Sequence, residues 1–252
     1  LLSTDTTSVS GNATATFASP NAGLAIDVNV NVTGLTLSNS NYYVSGVTSP
    51  LTANITPAPV TIGGLTAANK VYDTTTTATL SGAQTVSGLL GSDTATVSGS
   101  ATGAFATADA GSAISVAVNV SGLTLSNGNY YVSGVASPLT ANITPAPITI
   151  SGLTAANKVY DTTTAATLTG APEIAGGLLG SDTATLSGAA SAGSFASANA
   201  ANGIAVTPNL SSLTLSNSNY YVSGVTSPLT ANITPAPVTI GGLTAANKVY
   251  DT

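Results

Sequence analysis

Hydrophobic and polar residues alternate along part of the chain in a pattern that favours β-strand. In the stretch AIDVNVNVTGLTL, which begins at Ala25, polar residues separate Val28, Val30 and Val32. A period of two places alternate side chains on opposite faces of a strand. Valine, isoleucine and threonine are abundant throughout, and glycine, asparagine and serine interrupt them at short intervals. The pattern therefore predicts many short strands and little helix.

A long phrase of the sequence occurs three times. LTLSNSNYYVSGVTSPLTANITPAPVTIGGLTAANKVYDT occupies 35–74 and returns almost unchanged at 123–162 and 213–252, with Tyr42, Tyr130 and Tyr220 spaced by 88 and 90 residues. This period is too long for one turn of a solenoid and fits one small domain. We predict four segments, called the first to fourth repeats: a partial repeat at 1–58, full repeats at 59–146 and 147–236, and the start of another at 237–252.

The strand signals within one repeat indicate a sandwich. About seven short strands in a domain of this length are typical of an immunoglobulin-like Greek-key fold. Pro57 and Pro59, with their counterparts in later repeats, lie at the predicted junctions, where proline stiffens an extended connector. The predicted fold is all-β, with tandem immunoglobulin-like Greek-key β-sandwiches arranged as beads on a rigid, extended string.

The composition excludes several functions. The chain has three lysines, no arginine and nine acidic residues, for a net charge of −6. Nucleic acid and anionic membranes are bound by clustered basic residues, so neither is an expected partner. Histidine and cysteine are absent, which removes imidazole and thiolate chemistry. No apolar run reaches the roughly 18 residues of a membrane span. We predict no enzymatic activity, no catalytic residue, no cofactor and no membrane insertion in this segment.

Four phrases of each repeat resemble a known family. NKVYDTTTTATLSG, LLGSDTATVSG, LTLSNGNYYVSG and LTANITPAP occur in this order and resemble the YDG-type repeat of large bacterial surface proteins similar to filamentous haemagglutinin. The glycine that is usual after Tyr-Asp is replaced by Thr74, Thr162 and Thr252. Glycine favours a turn with positive φ and threonine does not, so the sequence alone does not determine the conformation of the turn after Tyr-Asp. The resemblance implies a secreted or cell-surface fibre or adhesin stalk, and it implies no catalytic residues.

Two aspartates recur in every available repeat and are candidate metal ligands. One column contains Asp73, Asp161 and Asp251, and the other contains Asp5, Asp93 and Asp182. Calcium requires six to eight oxygen ligands, and two carboxylates per repeat supply only part of that set. We therefore predict no metal site and interpret these aspartates as turn-forming or strand-capping residues. Calcium binding is the alternative.

The single lysine of each repeat has two interpretations. A solvated or salt-bridged side chain is the first. The second is an intramolecular isopeptide bond, which requires a lysine on the first strand, an asparagine or aspartate on the last strand and a buried acid between them. An isopeptide bond would lower the intact mass by one ammonia for each complete repeat. The candidate sets are Lys70 with Asn142 and Asp93, and Lys158 with Asn232 and Asp182.

The adjacent tyrosines and the repeat pattern lead to the functional prediction. Neighbouring residues of a strand face opposite ways, so one of Tyr42 and Tyr43 should be core and the other exposed or at a sheet edge. The predicted function is structural: a repeat region of an extracellular bacterial fibre or adhesin stalk, whose partners are neighbouring repeats or copies of itself. The alternative is a module that binds host or matrix glycans through repeated Tyr or Thr surfaces with avidity. The expected location is the cell surface or extracellular space.

Overall fold

The chain folds almost entirely through β-strand pairing. A computed structural model describes residues 1–2 and 4–252, and these residues form 28 strands and no α-helix. The prediction of an all-β fold is therefore confirmed. None of the described residues forms a helix with the length and apolar character that a membrane crossing requires.

The strands are short and follow one another closely from residue 9 to residue 234. Up to residue 55 they are β1 (Val9–Gly11), β2 (Thr14–Phe17), β3 (Gly23–Asn31), β4 (Leu35–Leu37) and β5 (Leu51–Ile55). From residue 58 to 144 they are β6 (Ala58–Gly63), β7 (Thr66–Ala67), β8 (Lys70–Val71), β9 (Thr77–Ala78), β10 (Leu80–Ser81), β11 (Thr85–Ser87), β12 (Val97–Gly99), β13 (Thr102–Phe105), β14 (Gly111–Asn119), β15 (Leu123–Leu125), β16 (Tyr130–Val135) and β17 (Leu139–Thr144).

The last group of strands repeats the second group with small changes. It contains β18 (Ala146–Ser151), β19 (Thr154–Ala155), β20 (Lys158–Val159), β21 (Ala165–Thr169), β22 (Glu173–Gly176), β23 (Leu186–Ser187), β24 (Ala192–Phe195), β25 (Ala201–Pro208), β26 (Thr214–Leu215), β27 (Tyr220–Val225) and β28 (Leu229–Thr234). No strand is found among the described residues from 235 to 252.

The contacts divide the chain into two compact units, each built from three segments. Unit 1 contains Leu1–Ala68, Thr77–Ala106 and Ser115–Ala141. Unit 2 contains Asn69–Thr76, Thr107–Ile114 and Asn142–Thr252. The predicted boundaries at residues 58, 146 and 236 describe the sequence repeat, and they stay a prediction.

Unit 1 contains several small antiparallel pairings and one parallel pairing. Strand β3 lies between β2 and β5, and β13 lies between β14 and β9. Strand β6 pairs antiparallel with β11 and parallel with β16, where Val60 faces Val132. A parallel pair cannot be closed by a tight hairpin, so the partners of β6 come from distant parts of the sequence.

Unit 2 has a three-stranded sheet and a six-stranded sheet. In the first, β18 lies between antiparallel β22 and parallel β27. The second has the order β19-β21-β24-β25-β28-β20. Two buried clusters form the core, one containing Phe195 and Ile233 and the other Ile150 and Leu213. Strand β18 is buried at both of its isoleucines, Ile148 and Ile150.

The predicted alternation is present in β3. Its valines, Val28 and Val30, are half-buried, whereas the intervening Asn29 is exposed. The strand also contains a bulge, at which Ala25 has a φ of 49° and donates its N–H to Asn54 Oδ1 at 2.9 Å. The sequence pattern shows the two faces of the strand but not this bulge, because one local residue with positive φ leaves the later alternation intact.

Candidate functional site

A tyrosine hydroxyl and an aspartate carboxylate meet in each of the first three repeats. The tyrosine is the first of the Tyr-Tyr pair, and a backbone N–H of the Leu-Leu phrase donates to the same hydroxyl. The O–H donates to Oδ2 at 2.7 Å for Tyr42 and Asp5, 2.7 Å for Tyr130 and Asp93, and 2.6 Å for Tyr220 and Asp182.

In unit 2 a second tyrosine joins this pair. Tyr72 donates its hydroxyl to Asp182 Oδ2 at 2.7 Å. Its ring packs edge-on against Tyr220, with 5.4 Å between ring centroids and an interplanar angle of 79°. Tyr72 belongs to the NKVYDT phrase of the second repeat, whereas its two partners belong to the third. We call Tyr72, Asp182 and Tyr220 the tyrosine clamp, which joins successive repeats.

The clamp is a buried, charge-assisted contact. Tyr72 is 7% exposed and Tyr220 is 4% exposed. The hydrogen bond to Asp182, followed by burial, raises the pKa of Tyr72 from 10.0 to about 12. Hydrogen bonds from Tyr220 and then Tyr72 hold the pKa of the Asp182 carboxyl below its usual value of 3.8. The contact therefore favours two neutral phenols around one ionised carboxylate.

The raised pKa of Tyr72 predicts a loss of stability in strong alkali. The neutral phenol is favoured in the folded chain, so the stabilisation is complete below pH 10.0 and is lost as the pH rises towards about 12. We expect denaturant midpoints measured across this range to fall more steeply for the parent than for Tyr72→Phe. Tyr160→Phe is the matched control, because Tyr160 lies in the same phrase and is 39% exposed. Equal slopes for all three proteins would contradict the prediction.

An asparagine next to the paired tyrosine makes a second contact between repeats. In unit 2, Asn219 Oδ1 accepts the N–H of Ala110 at 2.7 Å, and its Nδ2 donates to Asp109 Oδ1 at 2.9 Å. The main-chain carbonyl oxygen of Asn219 also accepts the N–H of Ala146, the first residue of β18, at 2.8 Å. One asparagine thus fixes both the preceding repeat and the connecting strand.

The same arrangement is present in unit 1. Asn129 Oδ1 accepts the N–H of Ala22 at 2.8 Å, and its Nδ2 donates to Asn21 Oδ1 at 3.1 Å. The main-chain carbonyl oxygen of Asn129 accepts the N–H of Ala58 at 2.8 Å. The two junctions share their backbone contacts, and they differ in the side chain that the asparagine amide meets, Asn21 or Asp109.

The lysines of the first two NKVYDT phrases each close a local turn. Lys158 Nζ donates to Asp161 Oδ1 at 2.8 Å and to the carbonyl oxygen of Thr163 at 2.7 Å. Lys70 has the corresponding contacts, 2.6 Å to Asp73 Oδ1 and 2.6 Å to the carbonyl oxygen of its threonine. The hydrogen bond from Lys158 lowers the pKa of Asp161 from 3.8 to about 2.

The turn keeps a positive φ although threonine replaces glycine. The φ values of Thr74 and Thr162 are 69° and 66°. A β-branched residue is strained in this region. The carboxylate of Asp161 also accepts the N–H and hydroxyl of Thr163, so the network around the lysine holds the strained residue in place.

Glycine at the strained position should stabilise the chain. Left-handed backbone costs an L-residue about 1–2 kcal/mol, and the greater freedom of unfolded glycine offsets about 0.5–1 kcal/mol of that gain. We expect Thr162→Gly to raise the free energy of unfolding by about 0.5–1 kcal/mol in denaturant titration. Thr164→Gly is the control and should destabilise, since Thr164 does not have a positive φ. A lower stability for Thr162→Gly would show that threonine is not strained there.

The residues of the isopeptide hypothesis have other partners in the structure. Asn232 Oδ1 accepts the N–H of Gly203 at 2.8 Å, and Asn142 Oδ1 accepts the N–H of Ala113 at 2.7 Å. Asp182 and Asp93 accept tyrosine hydroxyls. Lys70 and Lys158 form salt bridges with Asp73 and Asp161. These contacts agree with the first interpretation of the lysines, a salt-bridged side chain. The isopeptide bond stays a prediction that intact-mass measurement decides.

The adjacent tyrosines take the arrangement expected of a strand. Tyr130 and Tyr220 are buried, whereas their neighbours Tyr131 and Tyr221 are each 51% exposed. In the first repeat Tyr43 is exposed and Tyr42 is half-buried. The division into one core and one exposed ring is therefore present in the second and third repeats, but it is not met by Tyr42 and Tyr43 themselves, because neither ring lies in the core.

The aspartates do not assemble into a cluster with metal-ligand composition. Within the part of the chain that the structure describes, no group of three or more histidine, cysteine or acidic side chains could hold a metal ion. Asp93 and Asp182 instead accept hydrogen bonds from tyrosine hydroxyls. The recurrence of Asp and Tyr in each repeat was the available signal for this pairing, but the sequence does not show that Tyr72 reaches a carboxylate 110 residues later.

The fold and these contacts define an all-β protein made of sequence repeats that are joined by tyrosine, aspartate and asparagine side chains. The YDG domain family matches the chain twice, at residues 56–138 and 144–228. The two matches cover more than half of the chain, so the chain belongs to the YDG domain family. No curated protein and no solved structure matches the chain.

Proposed function

We propose that this chain is a structural segment of an extracellular bacterial fibre or adhesin stalk, in which each repeat is an immunoglobulin-like Greek-key sandwich. The observation that supports it most is the repeated junction. Asn129 and Asn219 contact the preceding repeat and the connecting strand in the same way. Contacts on both sides of a connector restrict bending, as a stalk requires.

The chemistry of the junctions suits a protein that works outside the cell. The contacts depend on Tyr, Asp and Asn side chains, and the chain contains no cysteine or methionine. Thiol and thioether oxidation therefore cannot alter them. The proposed mechanism is mechanical: successive repeats hold one another in a fixed orientation, and the partners are neighbouring repeats or copies of the same chain.

Electron microscopy of the native assembly, with antibodies against the repeat, tests this function. We expect labelled filaments or stalks at the cell surface. Labelling confined to the cell interior would overturn the proposal.

Glycan binding is the second candidate function. Tyr131 and Tyr221 are each 51% exposed at equivalent positions of successive repeats, as repeated binding sites require for avidity. A glycan array separates the two functions. Specific binding that is lost in the double variant Tyr131→Ala and Tyr221→Ala would support an adhesive module. Absence of glycan binding on the array favours the purely structural function.

A further inference from the structure

The chain contains two Asn-Gly pairs, and the fold places them in different backbone settings. Asn127-Gly128 lies in the turn between β15 and β16, whereas Asn202-Gly203 lies in β25. An asparagine that precedes glycine can cyclise, because the next main-chain nitrogen attacks the side-chain carbonyl carbon and glycine has no Cβ to hinder the approach. The two pairs are therefore candidate sites of spontaneous chemistry in a chain that has no cysteine or histidine.

The turn at Asn127 polarises the side-chain carbonyl that would be attacked. Oδ1 of Asn127 accepts the N–H of Asn129 at 3.0 Å, and its main-chain carbonyl oxygen accepts the N–H of Tyr130 at 3.2 Å. A donor on Oδ1 stabilises the negative charge that develops there when a nucleophile adds to Cγ. Gly128 is exposed, and its N–H makes no hydrogen bond within the part of the chain that the structure describes. The attacking nitrogen is therefore not held by another group.

The second Asn-Gly pair has the opposite setting. Gly203 donates its N–H to Asn232 Oδ1 at 2.8 Å. Cyclisation requires this nitrogen to lose its proton and turn towards the side chain of Asn202. The reaction would have to break the hydrogen bond and distort β25 where it pairs with β28, so the fold protects Asn202.

The corresponding turn of the third repeat has the same contact and lacks the glycine. Asn217 Oδ1 accepts the N–H of Asn219 at 3.0 Å, the same distance as in the second repeat. Ser218 follows Asn217, and a serine also follows the equivalent Asn39 of the first repeat. A serine side chain crowds its own nitrogen and restricts its φ. Only the second repeat combines the polarised carbonyl with an unhindered nucleophile.

We propose that Asn127 is a site of spontaneous deamidation, and that the main-chain nitrogen of Gly128 is the nucleophile. This nitrogen bonds to Cγ of Asn127 and gives up its proton to water, and the side-chain nitrogen leaves as ammonia, which produces a cyclic imide. Water then opens one of the two C–N bonds of the imide ring, so the product is aspartate or isoaspartate. The net reaction consumes water and releases ammonia, and it requires no oxidant, metal or enzyme.

Both products disturb the junction that Asn129 makes between the first and second repeats. The asparagine side chain donates from Nδ2 to the carbonyl oxygen of Thr94 at 3.4 Å, and aspartate replaces this donor with a carboxylate oxygen, which only accepts. Isoaspartate adds a carbon to the main chain and moves Asn129 away from Ala22 and Ala58, whose N–H groups it binds at 2.8 Å each. Deamidation therefore loosens this junction as the protein ages.

Peptide mapping by mass spectrometry tests the site in the folded 252-residue chain during incubation at mildly alkaline pH. We expect Asn127 to convert about tenfold faster than Asn217 and Asn202, a barrier difference of about 1.4 kcal/mol. In urea, Asn202 should reach the rate of Asn127, because unfolding breaks the hydrogen bond of the Gly203 N–H. A folded chain in which Asn127 converts no faster than Asn217 or Asn202 would overturn the proposal, and so would an Asn202 that stays slow when unfolded.

Exchanging the two residues that follow the asparagines is the sharper test. Gly128→Ser gives the second repeat the turn sequence of the third, and a Cβ at this position meets no other atom within 4 Å. We expect it to slow Asn127 to the rate of Asn217. Ser218→Gly should raise Asn217 to the rate of Asn127, because the two turns share their contacts. Rates that the exchange leaves unchanged would show that the Gly128 nitrogen is not the nucleophile.

Hydrogen exchange of the aged chain tests the effect on the junction. We expect the amides of Ala22 and Ala58 to lose protection as deamidated chain accumulates. The amides of Ala110 and Ala146, which Asn219 binds at the equivalent junction, are the control and should keep theirs. Unchanged protection at Ala22 and Ala58 in deamidated chain would overturn the loosening of the junction. Both the reaction and its effect need only the folded chain, so these outcomes are independent of the proposed function.

Discussion

Replacing Ile150 by alanine should cost about 2–5 kcal/mol of unfolding free energy, because the substitution removes a fully buried side chain from a packed core. Ile150 is 0% exposed in the central strand β18 and packs with Leu153, Ala190 and Leu213. The lost methyl and methylene groups forfeit their transfer free energy, and the cavity left between β18 and its neighbours adds a further cost. Denaturant titration of the two proteins measures the difference.

Ile240→Ala is the matched control for this substitution. Ile240 lies three residues after a Pro-Ala-Pro phrase, as Ile150 does, and it is 83% exposed. We expect a change within about 0.5 kcal/mol, as for an ordinary surface substitution. A large loss for Ile240→Ala would show that residues 236–241 are packed in solution, and a small loss for Ile150→Ala would contradict the burial of β18.

The comparison of these two isoleucines shows what the sequence could not determine. The phrase APVTIGGLTAANKVYDT is identical at 58–74 and 236–252. At the first site it contains β6, β7 and β8, and at the second no strand. Local propensity is the same in both places, so the partners decide: β6 pairs with β11 and β16, which come later in the chain. Tertiary context of this kind overrides local propensity.

The parts of the fold that rest on local pattern were predictable. The alternation of Val28 and Val30 with polar residues gave the faces of β3 correctly, and the paired tyrosines gave one buried and one exposed ring in the second and third repeats. The repeat also predicted the family, through four phrases in a fixed order. Periodicity reports which side of a strand is buried, and this information is local.

The contacts of the candidate site were not predictable in the same way. Asp182 recurs in the sequence as Asp5 and Asp93, and we interpreted all three as turn-forming or strand-capping. In the structure each of these aspartates accepts a hydrogen bond from a tyrosine hydroxyl, and Asp182 accepts two. Which repeat supplies the second hydroxyl depends on the packing of one repeat against the next, and no residue spacing encodes that.

Alanine at position 182 should therefore disrupt the chain more than alanine at position 93. Asp182→Ala removes the acceptor of both Tyr72 and Tyr220, and these hydroxyls are buried. Asp93→Ala removes the acceptor of Tyr130 alone. A buried donor without an acceptor is costly, so we expect the loss of unfolding free energy to be roughly twice as large for Asp182→Ala as for Asp93→Ala.

A double-mutant cycle attributes the excess to the contact between repeats. If Asp182 stabilises the chain through Tyr72, then Tyr72→Phe removes one unsatisfied hydroxyl and should reduce the further effect of Asp182→Ala. Tyr160→Phe, in the same phrase of the next repeat, should leave that effect unchanged, because Tyr160 does not contact Asp182 in the clamp. Additive effects of Tyr72→Phe and Asp182→Ala would mean that the two side chains act independently, and the clamp would then contribute nothing to the connection between repeats.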